Sequence, residues 1–333
     1  MLTFNGKKVL ITGGAGFIGS NLAFYFQEHY PSCHVVVFDS FRSEMTFSNG
    51  NLKSFGHFKN LIGFTGEIIS GDINDAQALK ALEAYHFDYI FHEAAISDTT
   101  VRDQGMMVQT NVNAFRAVLE LAQKSNAVVV YASSAATYGN APSPQRIGQE
   151  NPQNVYGFSK LAMDNLAKKF CELYPAMRIV GLRYFNVYGP REYFKATTAS
   201  MVLQLGLQLL QAKAPRLFYD SDKILRDFIY IDDVIQANIR AALCGISGVY
   251  NVGTGNPRSF QDIADGLQKE LETSFEIEYF ENPYLGSYQM HTQADIKSTR
   301  HDLGYEPRIT LEEGIKAYIP YIKSIFESEI KRG

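Results

Sequence analysis

Tyr156 and Lys160 stand four residues apart in Tyr156-Gly157-Phe158-Ser159-Lys160. On a helix that spacing puts both side chains on one face, a turn apart. A free phenol titrates near pH ~10 and is a weak base at neutral pH. A lysine ammonium beside it favours the phenolate by charge attraction. The pair is then a general acid/base that can take a proton from an alcohol and return it. Tyr-x-x-x-Lys also arises by chance on solvated helix faces, so its meaning rests on its surroundings. Just upstream, Tyr131–Gly139 (YASSAATYG) ends a Val-rich run. Strand ends at the crevice of a doubly wound sheet are where ligands bind. The Ser134 hydroxyl could hold a reacting oxygen there; turn chemistry is the alternative for Ser133 and Ser134.

A second chemistry-bearing segment lies near the N-terminus. Gly13-Gly14-Ala15-Gly16-Phe17-Ile18-Gly19 follows the apolar run Lys8–Thr12 and opens a helical pattern. Gly14, Gly16 and Gly19 satisfy G-x-G-x-x-G, and Gly13, Gly16 and Gly19 a G-x-x-G-x-x-G variant. Such a turn lets a pyrophosphate approach the backbone at a helix N-terminus. The strand before it, the helix after it and Asp39 twenty residues past Gly19 together predict dinucleotide binding. A carboxylate at Asp39 suits a ribose 2′-hydroxyl and argues for NAD. Arg42 could meet a 2′-phosphate and argues for NADP; it could also be a solvated loop cation. Residue chemistry leaves that choice open. Asp72 suits either the adenine amino group or a helix N-cap. In Glu93-Ala94-Ala95 the small residues let the backbone approach a cofactor. His92 reads as a satisfied core histidine.

These segments need a scaffold. Lys8–Thr12, His34–Asp39, Glu67–Ser70, Tyr89–His92, Ala127–Ser133 and Arg178–Arg183 read as buried strands. Several are Val- and Ile-rich without alternation, as expected of parallel strands covered on both faces. Helical patterns intervene, among them Asn111–Lys124 and Val155–Leu173. The repeat predicts a doubly wound parallel α/β sheet. After Asn186 the pattern loosens. Asp227–Ile231, Asp232–Leu243 and Val249–Val252 resume strand, helix and strand. The helix Gln261–Leu271, the strand Phe275–Phe280 and the helix Leu311–Ile325 suggest a smaller α/β lobe. The expected division is 1–185 with about 227–256 for the dinucleotide domain, and about 186–226 with 257–333 for the second lobe.

The 333 residues carry 46% hydrophobic content and a formal charge of −4. That content suffices for a large core. There is no basic stripe for nucleic acid. Cys33, Cys171 and Cys244 fit neither a disulfide framework nor a metal site, and read as buried, reduced thiols. The N-terminal apolar run is too short to span a bilayer and lacks a signal-peptide cleavage pattern. A soluble, cytoplasmic protein is the expectation.

GGAGFIG, SSAATYG, YGFSK and RYFNVYGPRE (Arg183–Glu192) together resemble the extended short-chain dehydrogenase/reductase family, in its nucleotide-sugar epimerase branch. FHEAAISDTT, NVYGFSK, RLF…RDFIYIDDV, YNVGTGN…SFQDIAD and YQMHTQADI narrow the resemblance to epimerases that invert C6 of an ADP-linked heptose for lipopolysaccharide core. It implies a Rossmann fold, a homo-oligomer and a transient ketone made and reversed by hydride transfer through a retained cofactor. That cofactor would be NADP, with NAD as the alternative that Asp39 keeps open; Arg42 would meet the 2′-phosphate. The implied cofactor contacts are Gly13, Gly16, Phe17, Ile18, Gly19, Asp39, Ser40, Arg42, Asp72, Glu93, Ala94, Ala95, Ile96, Ser97, Asn111, Lys160, Val187 and Lys195. Tyr156, Lys160 and Ser134 would act in catalysis, Lys160 serving the cofactor ribose as well.

The resemblance also implies that Lys195 is a second acid/base. Inversion presents the hydroxyl in two arrangements, and one fixed base need not reach both. Lysine suits that role when burial lowers its pKa. Asn186, Thr197, Gln204, Phe218, Ser221, Arg226 and Tyr288 would join Ser134 in holding substrate. A guanidinium at Arg226 matches diphosphate oxygens; an inter-lobe salt bridge is its other reading.

Three other functions are weighed. A UDP-hexose 4-epimerase shares most of these motifs. A 4,6-dehydratase needs an acidic pair where this chain has Ser134-Ala135-Ala136-Thr137. A non-catalytic dinucleotide-binding regulator would be expected to lose Tyr156 or Lys160.

Overall fold

The structure is a computed structural model that describes residues 3–282 and 289–331. Tyr288 lies outside the described residues. In chain order the first half runs β1 (Lys8–Thr12), α1 (Phe17–His29), β2 (His34–Asp39), β3 (Glu67–Ser70), α2 (Ala76–Leu82), β4 (Tyr89–His92), α3 (Gln104–Val108), α4 (Ala114–Ser125), β5 (Val128–Ser134), α5 (Val155–Leu173) and β6 (Ile179–Tyr184). The second half runs β7 (Asn186–Tyr188), α6 (Met201–Leu210), β8 (Arg216–Phe218), β9 (Leu225–Arg226), β10 (Phe228–Tyr230), α7 (Ile231–Leu243), β11 (Gly248–Val252), β12 (Arg258–Ser259), α8 (Phe260–Leu271), β13 (Glu278–Phe280), α9 (Lys297–Leu303) and α10 (Leu311–Ile325).

Seven strands form one sheet in the order β11-β6-β5-β4-β1-β2-β3. Every neighbouring pair is parallel. Every residue of β4 and β6 is buried, as burial under helices on both faces requires. Strand order reverses between β1 and β4, so the crevice opens above their carboxyl ends. Two apolar clusters fill the two faces, one around Val9, Ile11 and Phe91, the other around Leu10, Ile90 and Phe115.

The chain leaves the sheet after β6 and returns to its edge as β11. Between and beyond these strands, α6, α8 and α10 pack through Leu203 and Leu205, Ile263 and Leu267, and Ile315 and Ile322. Capping boxes start α8 (Ser259 with Asp262) and α10 (Thr310 with Glu313), each satisfying backbone donors that the first helical turn leaves free.

Three expectations need correction. The helix expected from Asn111 begins its α segment at Ala114, because Gln109–Asn113 form a π-helical turn continuous with α3. The strand expected over Phe275–Phe280 is confined to β13, where a partner, β8, is available. The three cysteines are half-buried, not buried.

Candidate active site

A cavity of about 730 Å³ lies over the carboxyl ends of the central strands. Its floor is the Gly-rich turn. Gly13 has φ +68°, and a Cβ there would stand 2.7 Å from the Ala94 amide nitrogen. Only glycine permits both the left-handed backbone and that approach between β1 and β4. Gly16 caps α1 with no side-chain hydrogen bond, and no acidic residue occupies the first turn. The free N–H groups and the helix dipole thus face the cavity, as a pyrophosphate requires. These features fit a dinucleotide.

At one end the cavity is lined by Asp39, Ser40, Asp72, Lys53 and Ser54. Asp39 accepts from Ala15 N–H (2.9 Å) and Phe41 N–H (2.8 Å). Burial pushes its carboxyl up, and these two bonds oppose the shift. Asp72 accepts from Asn74 N–H, while Asp75, not Asp72, caps α2. Lys53 and Gly56 belong to the polar stretch after β2, whose lack of periodicity hid them from sequence reasoning.

At the other end stand Ser134, Tyr156, Lys160, Tyr184, Val187 and Lys195, with Glu93, Ala94, Ala95, Ile96 and Ser97 between. Asn154 caps α5 by accepting from Gly157 N–H at 2.8 Å. Tyr156 and Lys160 therefore sit in the first and second turns of a 19-residue helix. One turn further, Asp164 accepts two bonds from Arg183 (3.0 and 2.8 Å) and one from Tyr131 (2.8 Å). Arg183 also pairs with Glu150 at 2.5 Å. This buried network ties α5 to β5 and β6, and removing one partner would leave an uncompensated charge.

Lys160 is 2% exposed, and its Nζ donates to the Ala132 carbonyl at 2.7 Å. Burial lowers it to about 8, with Glu93 and Asp164 pulling the other way. The ammonium lies 5.9 Å from the Tyr156 ring centre. Tyr156 itself is pushed up by burial, eased by a hydrogen bond with Ser134 and reinforced by Glu93. In this structure desolvation outweighs the charge attraction expected from Lys160. Ser134 also accepts from Ala136 N–H at 3.1 Å, so it serves the turn and faces the cavity.

Glu93 brings more than a small-residue backbone. Tyr184 donates to its carboxylate at 3.0 Å, and Asn238 donates to Tyr184 at 2.9 Å. Burial raises Glu93 to about 7, with Tyr184 and Lys160 opposing. Tyr184 lay in the RYFNVYGPRE motif but had been given no role. His92 is a core residue but not a fully satisfied one: it bonds Thr12 at 2.8 Å and stacks near Phe115, burial lowers it to about 3, and among the described residues its Nε2 has no hydrogen-bond partner.

Lys195 enters from a 3-10 turn, Tyr193–Thr198. Its ammonium lies 5.5 Å from the Phe17 ring centre. Burial lowers its pKa, partly offset by Glu192. Among the described residues Nζ has no hydrogen-bond partner.

Other expected residues lie off this cavity. Arg42 donates to the Phe194 carbonyl at 2.9 Å. Asn111 is buried and clips Ile96 to α5, accepting from Ile96 N–H (2.8 Å) and donating to Ile96 C=O (3.0 Å) and Ser159 (2.9 Å). Its effect on a cofactor would run through the Ile96 backbone. Thr197 bonds Asn51, and Gln204 bonds the Ala199 carbonyl. Asn186 lies exposed on β7. Phe218 packs on Phe280 at 4.8 Å. Arg226 bonds the Leu225 carbonyl and lies 5.8 Å from the Phe260 ring centre. Among the described residues the buried Ser221 hydroxyl has no hydrogen-bond partner.

Among the described residues no group of three or more His, Cys, Asp or Glu is placed to hold a metal. No helix there is long and apolar enough to cross a membrane.

Residues 9–253 match the model of the NAD dependent epimerase/dehydratase family. The structure superposes on Helicobacter pylori ADP-L-glycero-D-manno-heptose-6-epimerase with a TM-score of 0.88 and 51% identity, over 97% of this chain and 98% of that one. It is also similar to UDP-N-acetylglucosamine 4-epimerase of Methanobrevibacter ruminantium (TM-score 0.84, 27% identity, 96% and 99% covered). UDP-glucuronic acid 4-epimerase of Bacillus cereus, solved with NAD, gives 0.81 and 28%, with 96% and 99% covered. With an open Gly-rich cradle, a buried Tyr–Lys pair and this match over most of its length, the chain belongs to the NAD dependent epimerase/dehydratase family.

Proposed function

We propose that this chain is an ADP-L-glycero-D-manno-heptose 6-epimerase acting in lipopolysaccharide core synthesis. The observation that carries the reading is 51% identity to the Helicobacter pylori enzyme across 97% of the chain. The second lysine in the same cavity as Tyr156 supports it. The Ser134-Ala135-Ala136-Thr137 segment has no acid to eliminate water, which argues against dehydration.

The nicotinamide dinucleotide supplies hydride abstraction at C6 and return to the opposite face, with no net redox change. The chain's own residues handle the proton. Tyr156, which shares the cavity with Ser134, takes the hydroxyl proton in one configuration and restores it in reverse. Lys195, with its pKa lowered by burial, does the same for the other. Proton transfer by a positioned group contributes about 10²–10⁴-fold. The Gly13–Gly19 turn and the start of α1 hold the pyrophosphate. Asn186, Thr197, Gln204, Phe218, Ser221, Arg226 and Tyr288 remain the proposed substrate contacts. Residues 1–185 and about 227–256 hold the cofactor, the remainder the nucleotide sugar, in a cytoplasmic homo-oligomer.

NADP is the proposed cofactor. Both Asp39 oxygens already accept backbone N–H bonds, and Lys53 lines the cavity beside Asp39, offering a cation to a 2′-phosphate.

Incubation with ADP-D-glycero-β-D-manno-heptose should show inversion at C6 by NMR. No inversion there, with inversion of a UDP-hexose at C4 instead, would replace this reading with the 4-epimerase.

A further inference from the structure

Lys195 sits on a weak support. Its turn has six residues, and Ala196 adopts φ +51°, ψ −122°, a conformation that disfavours any residue with a Cβ. Locally the turn is tied by Glu192, which accepts from the Gly189 and Ser200 N–H groups and the Ser200 hydroxyl, but these bonds leave Phe194 untouched. What meets Phe194 comes from a distant part of the chain, the segment after β2.

Three contacts make the link. The His57 ring stacks on Phe194, centroid to centroid 3.6 Å and 4° from parallel. Burial, with Arg42 and Lys59, keeps His57 below its usual range, so the ring stacks as a neutral imidazole. Arg42 Nη2 donates to the Phe194 carbonyl at 2.9 Å, and its guanidinium lies 5.9 Å from the same ring centre. Three residues after His57, Asn60 Nδ2 donates to the Arg191 carbonyl (3.1 Å) and the Ala15 carbonyl (3.0 Å). The His57 amide also donates to Ala15 at 3.0 Å. Ala15 belongs to the Gly-rich turn, so the support of Lys195 is bolted to the phosphate cradle.

We infer that Arg42 and His57 clamp Phe194 and thereby position Lys195, making them positioning residues for the second acid/base. This rests on the proposed role of Lys195. Arg42 then has a use that needs no contact with the cofactor.

The test is a double-mutant cycle. His57→Ala should lower kcat about tenfold, leaving bound cofactor and the KM for the nucleotide sugar near wild type. His57→Phe keeps a ring against Phe194 and should recover kcat to within about twofold. Arg42→Met, which keeps the stem but loses the donor, should behave like His57→Ala. In a Lys195→Met background neither substitution should slow turnover further. If His57→Ala slows Lys195→Met by the same factor, or leaves the wild-type kcat unchanged, the clamp is overturned while the role of Lys195 stands. If Lys195→Met alone turns over normally, that role fails and the clamp with it.

Discussion

The two proposed acid/base groups are built in opposite ways. Tyr156 and Lys160 ride on a 19-residue helix, capped by Asn154 and anchored one turn later by Asp164 and Arg183. Lys195 rides on a six-residue turn with a strained residue at its middle, and leans on side chains more than 130 positions earlier in sequence. A long helix orients its side chains through its own hydrogen bonds, so relative placement follows from spacing alone. A short turn has too few such bonds, and tertiary contacts must supply the orientation. The first group is legible from spacing for this reason; the second is reached from sequence only through the family resemblance.

Substitution at either group separates their roles. Tyr156→Phe should retain fold and cofactor and lose turnover by about 10³-fold; a normal rate would remove Tyr156 from the mechanism. Lys195→Met should cost about 10²-fold in kcat with the cofactor still bound. Full activity there would leave Tyr156 as the one base and end the two-base account.

The half-buried Glu93 carboxyl, coupled to Tyr156 and Lys160, offers a measurement independent of rate. Glu93 is raised from an ordinary 4.5 to about 7. Between those values the unfolded chain releases a proton that the folded chain keeps, so stability falls as pH rises from 4.5 to 7. The expected loss is about 3 kcal/mol. Denaturant titrations of cofactor-free protein should show Glu93→Gln flattening that fall; an identical slope in the variant would place the proton elsewhere.

A smaller effect concerns the far end of the cavity. Lys53→Ala should shift the ratio of NADP to NAD affinity by about tenfold toward NAD, since one cation on a phosphate accounts for roughly that much. Arg42→Ala should shift it less, because its guanidinium is engaged with Phe194. The reverse order, read by titrating each nucleotide, would return Arg42 to the 2′-phosphate. Smallest is Ala196→Gly, which relieves a backbone strain at the cost of chain entropy. It should raise stability by no more than about 1 kcal/mol in chemical denaturation; a clear loss would mean that Ala196 is not strained.

Much of the scaffold could be read in advance because a βαβ repeat is a local pattern. Lys8–Thr12, His34–Asp39, Glu67–Ser70, Tyr89–His92, Val155–Leu173 and Leu311–Ile325 span the same residues in the structure. Periodicity did not reveal the π turn at Gln109–Asn113, since five residues are too few to carry a hydrophobic period of their own. Nor could it show that Asp75 would take the cap offered to Asp72, a choice made by the geometry of one turn. The resemblance makes Glu93 a cofactor contact but gives no sign of its side-chain partner. Its hydrogen bond to Tyr184 joins residues 91 positions apart.

Composition and spacing by themselves determined the parallel sheet, the phosphate turn and the face shared by Tyr156 and Lys160. Each depends on residues within a few turns of one another, where backbone geometry leaves little freedom. Tertiary structure alone decided which way Arg42 and Asn111 point, that Glu93 and Lys160 share a buried space, and what supports Lys195. Those outcomes turn on desolvation and on contacts between segments far apart in the chain, and neither is written in local spacing.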